Sequence, residues 1–152
     1  MNEREFSERV RTCADRLWRI AWSILRNGAD CDDALQNALL SAWRGVHRLR
    51  NVAYFETWLT RILINESRSL MRKRRRSSGI VAQEIPEQDV PQNTALADAI
   101  GALELKFRIP LILHYMEGYS IKEISEILRL SETTVKWRMH MARKQLRESL
   151  TR

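Results

Sequence analysis

With 152 residues, 44% of them hydrophobic, the chain has room for one large domain or two small ones and is too apolar to be a disordered chain. Its 26 Lys and Arg against 19 Asp and Glu give a net charge of +7, which favours a polyanionic partner. No apolar run resembles a signal peptide or approaches the roughly 18 residues of a membrane span, so a cytoplasmic protein without membrane insertion is expected.

Phe6, Val10, Cys13, Leu17, Ile20 and Ile24 recur at spacings of four and three. That predicts a helix with one apolar seam, which Trp18, Trp22 and Leu25 broaden as core residues. Asn27-Gly28 is expected to end it, with glycine in the left-handed conformation. A second helix is predicted to begin among Asp30, Asp32 and Asp33, whose charge suits a helix N-terminus. Leu35, Ala38, Leu39, Ala42 and Trp43 form its expected buried face. Gln36, Asn37 and Leu40 lie towards another side, where an exposed leucine is either incidental or part of a docking surface.

After a break over residues 45–51, Asn51 is placed as the cap of a third helix with Phe55, Trp58, Leu59, Ile62 and Leu63 on its apolar face. The same helix carries Arg61, Asn65 and Arg68 and runs into Arg72-Lys73-Arg74-Arg75-Arg76. Five consecutive cations beside Tyr54, Phe55 and Trp58 fit phosphate contacts plus base stacking on single-stranded DNA. They fit as well a solvated basic helix end next to a core edge. Residues 77–94 change character, with two prolines and three acids, and read as a flexible linker.

Thr94 is expected to cap the next helix, with Leu96, Ile100 and Leu103 inward. Another is placed from near Arg108, with Pro110 tolerated in its first turn. Leu111, Leu113, Tyr115 and Met116 then lead to Gly118. Ser120 and Glu123 stand at the two positions of a capping box, and Ile121, Ile124 and Leu128 share one face. After Arg129-Leu130, Ser131 caps a second helix that directs Val135, Met139, Ala142 and Leu146 inward. Two capped helices around a tight turn make a helix-turn-helix. Its outward residues Glu132, Thr133, Lys136, Trp137 and His140 sit near the helix N-terminus that meets base edges in a major groove. An αα-hairpin packed on another surface is the alternative.

No alternating strand pattern occurs anywhere, so the expected fold is all-α. It comprises two small helical domains, at 1–76 and 95–152, joined by the linker 77–94, and the C-terminal domain contains the helix-turn-helix. Cys13 and Cys31 lack metal-ligand spacing and are expected as buried thiols; the three histidines are scattered. No catalytic residue, metal or cofactor is expected.

The order of these parts resembles a bacterial RNA polymerase sigma factor of the sigma-70 family, of the short extracytoplasmic-function (ECF) type. The segment from Asp33-Ala-Leu-Gln36 to Trp43 resembles the second-region helix that docks on the clamp coiled coil of the β′ subunit. Trp58-Leu59, Ile62 and Asn65, followed by the arginine run, resemble the part that recognises and opens the −10 element. Leu103 to Leu146 resembles the fourth region, with Arg108, Gly118, Glu123-Ile124, Thr134-Val135-Lys136 and Ala142-Arg143 at family-like positions. The chain departs from the pattern at Glu104 (usually Pro), Leu39 (Phe), Asn37 (an acid), Trp137 (Ser) and Met141 (Arg). Arg129 replaces the usual turn glycine, which implies strain there or a slightly different turn.

The resemblance implies a specificity subunit, not an enzyme, that directs core RNA polymerase to promoters and helps to open them. Ser131, Thr133, Thr134, Lys136 and Trp137 would read the −35 duplex, with Arg138, His140 and Arg143 nearer its backbone; for Trp137 a core position is the alternative. Arg48, Asn51, Tyr54 and Phe55, backed by Trp58, Arg61, Asn65, Arg68 and Arg72, would hold the single-stranded −10 element. Asp33, Gln36, Asn37 and Leu40 would contact the β′ clamp coiled coil. Leu111, Ile112 and Tyr115 either help seat the fourth region on the β flap or serve as core. An anti-sigma factor is a further implied partner. The competing functions are a stand-alone helix-turn-helix transcriptional regulator and a sigma-like adaptor that binds polymerase without initiating.

Overall fold

Asn2 opens the first helix by accepting a hydrogen bond from Glu5 N at 2.9 Å, and two acids in the first turn favour the same end. In the computed structural model, which describes residues 1–78 and 94–151, every regular element is helical. Helix α1 spans Glu3–Leu25 and buries Phe6, Cys13, Leu17, Ile20, Ala21, Ile24 and Leu25. Trp18 and Trp22, expected as core, are half-buried instead. They stack with centroids 5.6 Å apart, and Trp18 Nε1 donates to Asp32 Oδ1 at 3.3 Å. The polar edge of an indole explains why Trp18 stays at the rim.

The turn after α1 differs from the expected one. Arg26, not Gly28, takes the left-handed conformation, at φ 52°. Asn27 then caps α2 by accepting from Asp30 N at 3.0 Å, so Gly28 is already the first residue of that helix, which spans Gly28–Gly45. The buried face of α2 is Cys31, Ala34, Ala38 and Ala42. Leu35 and Leu39 are half-buried and Trp43 is 41% exposed, with its ring edge on Phe6 at 5.1 Å between centroids. Alanines let neighbouring helices approach closely, and that close packing selects the face of small residues over the face of large ones.

Two 3-10 turns follow, at Val46–Arg48 and Val52–Tyr54; Asn51 caps the second turn, accepting from Ala53 N at 3.0 Å, and not the long helix itself. Helix α3 covers Phe55–Ser78, a rod of about 36 Å at the rise of an α-helix. It reaches past Arg76, the expected limit of the first domain. Helices α1, α2 and α3 pack against one another as one compact unit around Leu17, Ile20, Leu59 and Leu63, each at most 1% exposed.

The second unit contains α4 (Thr94–Ala102), α5 (Leu105–Tyr115), α6 (Ile121–Leu128) and α7 (Glu132–Leu150), with α7 touching the other three. Ala99 and Leu103 are the buried residues of the first stretch, whereas Leu96 is 39% exposed and not inward. Helix α5 begins three residues earlier than expected, because the Glu104 carbonyl accepts from both Phe107 N and Arg108 N. Pro110 therefore stands sixth in α5, beyond the first turn, and its ring is buried. Residues 79–93, nearly all of the expected linker, lie outside the described residues. Among the described residues, no helix is long and apolar enough to cross a membrane.

Candidate nucleic-acid interfaces

The helix-turn-helix is built by local chemistry. Helix α5 closes through Tyr119 N donating to Leu113 O at 2.9 Å, with Gly118 between them at φ 76°, a conformation that favours glycine. His114 Nδ1 donates to the Tyr119 carbonyl at 2.8 Å and fastens the same turn. Ser120 and Glu123 form the full capping box, each backbone N–H reaching the other's side chain at 3.0 Å. Ile124 and Ile127 are buried, while Ile121 and Leu128 are only half-buried. Arg129, where the resembling pattern has glycine, adopts the left-handed conformation at φ 54° and closes α6 with its backbone N–H donating to the Ser125 carbonyl.

Ser131 caps α7, accepting from Thr134 N at 3.1 Å, and its hydroxyl lies 2.9 Å from that of Thr134. Val135, Met139 and Ala142 bury the inner face. Thr133, Lys136, Trp137 and His140 are exposed on the opposite side, and Arg138 and Arg143 are half-buried at its edges. Trp137 is 54% exposed, so it is no core residue, although one side of its ring leans on Phe107 at 6.0 Å between centroids. Arg143 donates to the Tyr115 hydroxyl at 3.0 Å. Leu111 and Ile112 are buried, which leaves Tyr115, 58% exposed, as the one surface residue of that trio. The exposed stripe continues through Lys144 and Arg147, which the sequence reading left out although the three- and four-residue spacing from His140 reaches them.

In the first unit, Trp58, Arg61, Asn65, Arg68 and Arg72 follow one another at three and four residues along α3. Leu59, Leu63 and Ser67 are buried on the other side. The stripe is about 21 Å long. Arg48, Asn51 and Tyr54 are exposed on the two short turns that lead into it. Phe55 requires a correction: it is 3% exposed, its ring set edge-on to Phe6 at 5.7 Å, and it packs the core instead of lining a strand-binding surface. The start of this amphipathic helix turns one aromatic inward and leaves the next, Trp58, half-buried at the rim, and composition alone does not separate the two.

Asp33, Gln36, Asn37 and Leu40 are all exposed on α2, on the side away from the alanine face. Leu40 is 55% exposed, an apolar group among polar ones, with Trp43 three residues further along. Beside it lies an open cleft of about 430 Å3 whose walls include Asn37, Leu40, Arg44, Arg48 and Glu66. The cleft brings the α2 stripe and the turn residue Arg48 to one place, and Arg44, absent from the expected residues, stands between them. Burial pushes the thiol of Cys13 up to about 11 and that of Cys31 to about 12. Both are therefore neutral, packed side chains. Among the described residues, no three His, Cys, Asp or Glu side chains are grouped to hold a metal.

Comparison with known proteins supplies the remaining link. The Sigma-70 region 2 family matches residues 9–77, and the Sigma-70 region 4 family matches residues 93–146. The ECF RNA polymerase sigma factor SigM of Mycobacterium tuberculosis (H37Rv) is 32% identical over 146 residues, covering 93% of this chain and 74% of SigM. RNA polymerase sigma factor SigV of Bacillus subtilis is 27% identical over 140 residues, covering 89% of this chain and 84% of SigV. The sigma factor RpoE, solved with the anti-sigma factor NepR from Bartonella quintana, matches with a TM-score of 0.81 and 26% identity over 97% of each chain. CnrH, solved with the cytosolic domain of CnrY, gives a TM-score of 0.75 and 27% identity over 99% of this chain and 90% of its own. With both halves matched in order and a relative above 30% identity, the chain belongs to the ECF group of sigma-70 family RNA polymerase sigma factors.

Proposed function

We propose that this sigma factor grips a promoter at two separated places and recruits polymerase through a third surface. The family assignment establishes that it directs core RNA polymerase to promoters; the residues that perform each part are the proposal. The observation that carries it is a pair of stripes, each backed by a buried face: on α7 Thr133, Lys136, Trp137 and His140 are exposed, and on α3 Asn65 and Arg72 are exposed with Trp58, Arg61 and Arg68 half-buried between them.

The α7 stripe of Thr133, Lys136, Trp137 and His140 lies in the major groove of the −35 element, and Ser131 and Thr134 hold the helix start that points at the bases. Arg138 and Arg143, with Lys144 and Arg147, contact phosphates, which position the domain without reading sequence. The α3 stripe and the turn residues Arg48, Asn51 and Tyr54 take the −10 strand as the duplex opens. An unstacked base must be recaptured, because unstacking costs a few kcal/mol per step. Tyr54, 55% exposed, and half-buried Trp58 offer aromatic faces for that purpose.

Asp33, Gln36, Asn37 and Leu40 dock on the clamp coiled coil of β′, and Tyr115 touches the β flap. Core polymerase supplies the catalysis, so the chain itself is not an enzyme, and it works in the cytoplasm. RpoE and CnrH are each seen with a protein partner, NepR and the cytosolic domain of CnrY. An anti-sigma factor of similar action covers these surfaces until initiation is required.

Run-off transcription with core polymerase on fragmented genomic DNA tests the reading and yields a promoter. Lys136→Ala with Thr133→Ala is expected to lower initiation about tenfold, the scale of losing one good base contact. Co-purification with core polymerase stays unchanged. DNA protection without polymerase, at a palindromic site, would instead identify a stand-alone regulator, and polymerase binding with no transcript would identify an adaptor.

A further inference from the structure

The five cations at Arg72–Arg76 are not equivalent. The last buried side chain along α3 is Ser67, so the basic end projects beyond the core of its unit. Like charges at 72, 75 and 76 sit three and four residues apart, where they repel and favour fraying. Arg74 turns the other way, on the same side of the helix as the buried face, and forms an ion pair with Asp30 in the first turn of α2. The Asp30 side chain is 14% exposed and that of Arg74 43%. Asp30 is itself held in place, because its backbone N–H donates to the Asn27 cap and its carboxylate sits at a helix N-terminus that favours negative charge.

A helix advances about 100° per residue, so anchoring one side chain sets the phase of its neighbours. With Arg74 held on the buried side, Arg72 and Arg76 are each about 200° away and continue the stripe of Trp58, Arg61, Asn65 and Arg68. Arg72, Lys73, Arg75 and Arg76 are all exposed. We infer that Asp30 is a positioning residue for promoter opening: its grip on Arg74 fixes the basic end of α3 so that Arg72 and Arg76 meet the DNA backbone in line with the −10 stripe. The inference rests on the reading of that stripe given under Proposed function. It divides the run into one structural arginine and a set of phosphate-binding cations.

The sign of the Asp30→Asn effect distinguishes positioning from plain charge. Removing an acid makes the protein more positive, which by long-range electrostatics alone strengthens DNA binding. Positioning predicts the reverse. Holoenzyme is assembled with each variant on a promoter recovered by the run-off assay, and opening is read from permanganate-reactive thymines across a salt series. Asp30→Asn is expected to reduce opening roughly threefold, the scale of a partly exposed ion pair, and to flatten the salt dependence while polymerase co-purifies as before. The exchange Asp30→Arg with Arg74→Asp, which keeps the net charge, restores opening relative to Asp30→Arg alone. If Arg72→Ala with Arg76→Ala reduces opening but Asp30→Asn leaves it unchanged or raises it, the positioning role is overturned and the stripe stands. If Arg72→Ala with Arg76→Ala has no effect, the stripe itself is misread. Loss of polymerase binding in both Asp30→Asn and the exchanged pair overturns the inference in favour of a purely structural role.

Discussion

The two units are stabilised by different means. The first holds three helices of 23, 18 and 24 residues, and the second holds helices of 9, 11, 8 and 19. A long helix with a continuous buried face is stabilised chiefly by packing, and its ends are secondary. A helix of eight residues is far below the length that survives alone in water, so its caps matter as much as its core. In α6 both capping-box bonds are made within eight residues, whereas α1 and α3 spend their stability on Leu17, Leu59 and Leu63. Deleting a buried side chain from the first unit should therefore damage it far more than deleting a cap damages the second.

Leu59→Ala gives the largest expected effect. The side chain is 0% exposed, and truncation leaves a cavity that costs about 3 kcal/mol. Urea unfolding followed by circular dichroism should show the transition of the first unit shifted to lower denaturant while that of the second stays in place. Trp18, Trp22, Trp43 and Trp58 report the first unit by fluorescence, and Trp137 reports the second. One transition moving as a whole would mean that the units unfold as a single cooperative body, and the contrast drawn above would fail.

Ser120→Ala comes next. It removes the acceptor for Glu123 N and half of the capping box, for a loss of about 1 kcal/mol confined to the second unit. Hydrogen exchange of the amides in α6 should accelerate about fivefold if that opening is local. Acceleration spread evenly over α5 and α7 would show that the cap stabilises the whole unit and not its own helix.

The same contrast explains what was legible. The boundaries of the helix-turn-helix could be read because Ser120, Glu123 and Ser131 mark them with side chains that act on the nearest backbone; its inner face was read less well, since Ile127 is buried where Ile121 and Leu128 are half-buried. The α3 stripe follows from the family resemblance, since spacing alone places Trp58 on the apolar face with Leu59 and Leu63. The buried face of α2 was legible only in part: Ala38 and Ala42 are buried as expected, but Leu35, Leu39 and Trp43 outweigh Cys31 and Ala34 in hydrophobicity, and only the closeness of α1 and α3 reverses that order. Phe55 and Trp58 pose the same problem on a smaller scale: two aromatics three residues apart, of which the fold buries one and leaves the other at the rim. The basic run at Arg72–Arg76 suits a solvated helix end as well as a DNA surface, and the ion pair from Arg74 to α2 joins residues 44 apart, a pairing that no local pattern encodes.

The smallest expected effect gives the sharpest comparison, since each unit contains one arginine in the left-handed region, Arg26 at φ 52° and Arg129 at φ 54°. A non-glycine residue there carries a steric cost of about 1 kcal/mol, which glycine removes while making the unfolded chain more flexible. At Arg129, whose side chain is exposed, the net gain from Arg129→Gly should be about 0.5 kcal/mol, read as a small rise in the melting temperature of the second unit. Arg26 is half-buried, so Arg26→Gly also removes side-chain packing, which offsets the gain. The two terms then nearly cancel, and the first unit should melt within measurement error of the parent. Equal gains at both sites would show that the side chain of Arg26 contributes nothing. A loss at Arg129 would show that its side chain, and not the turn, is what that position requires.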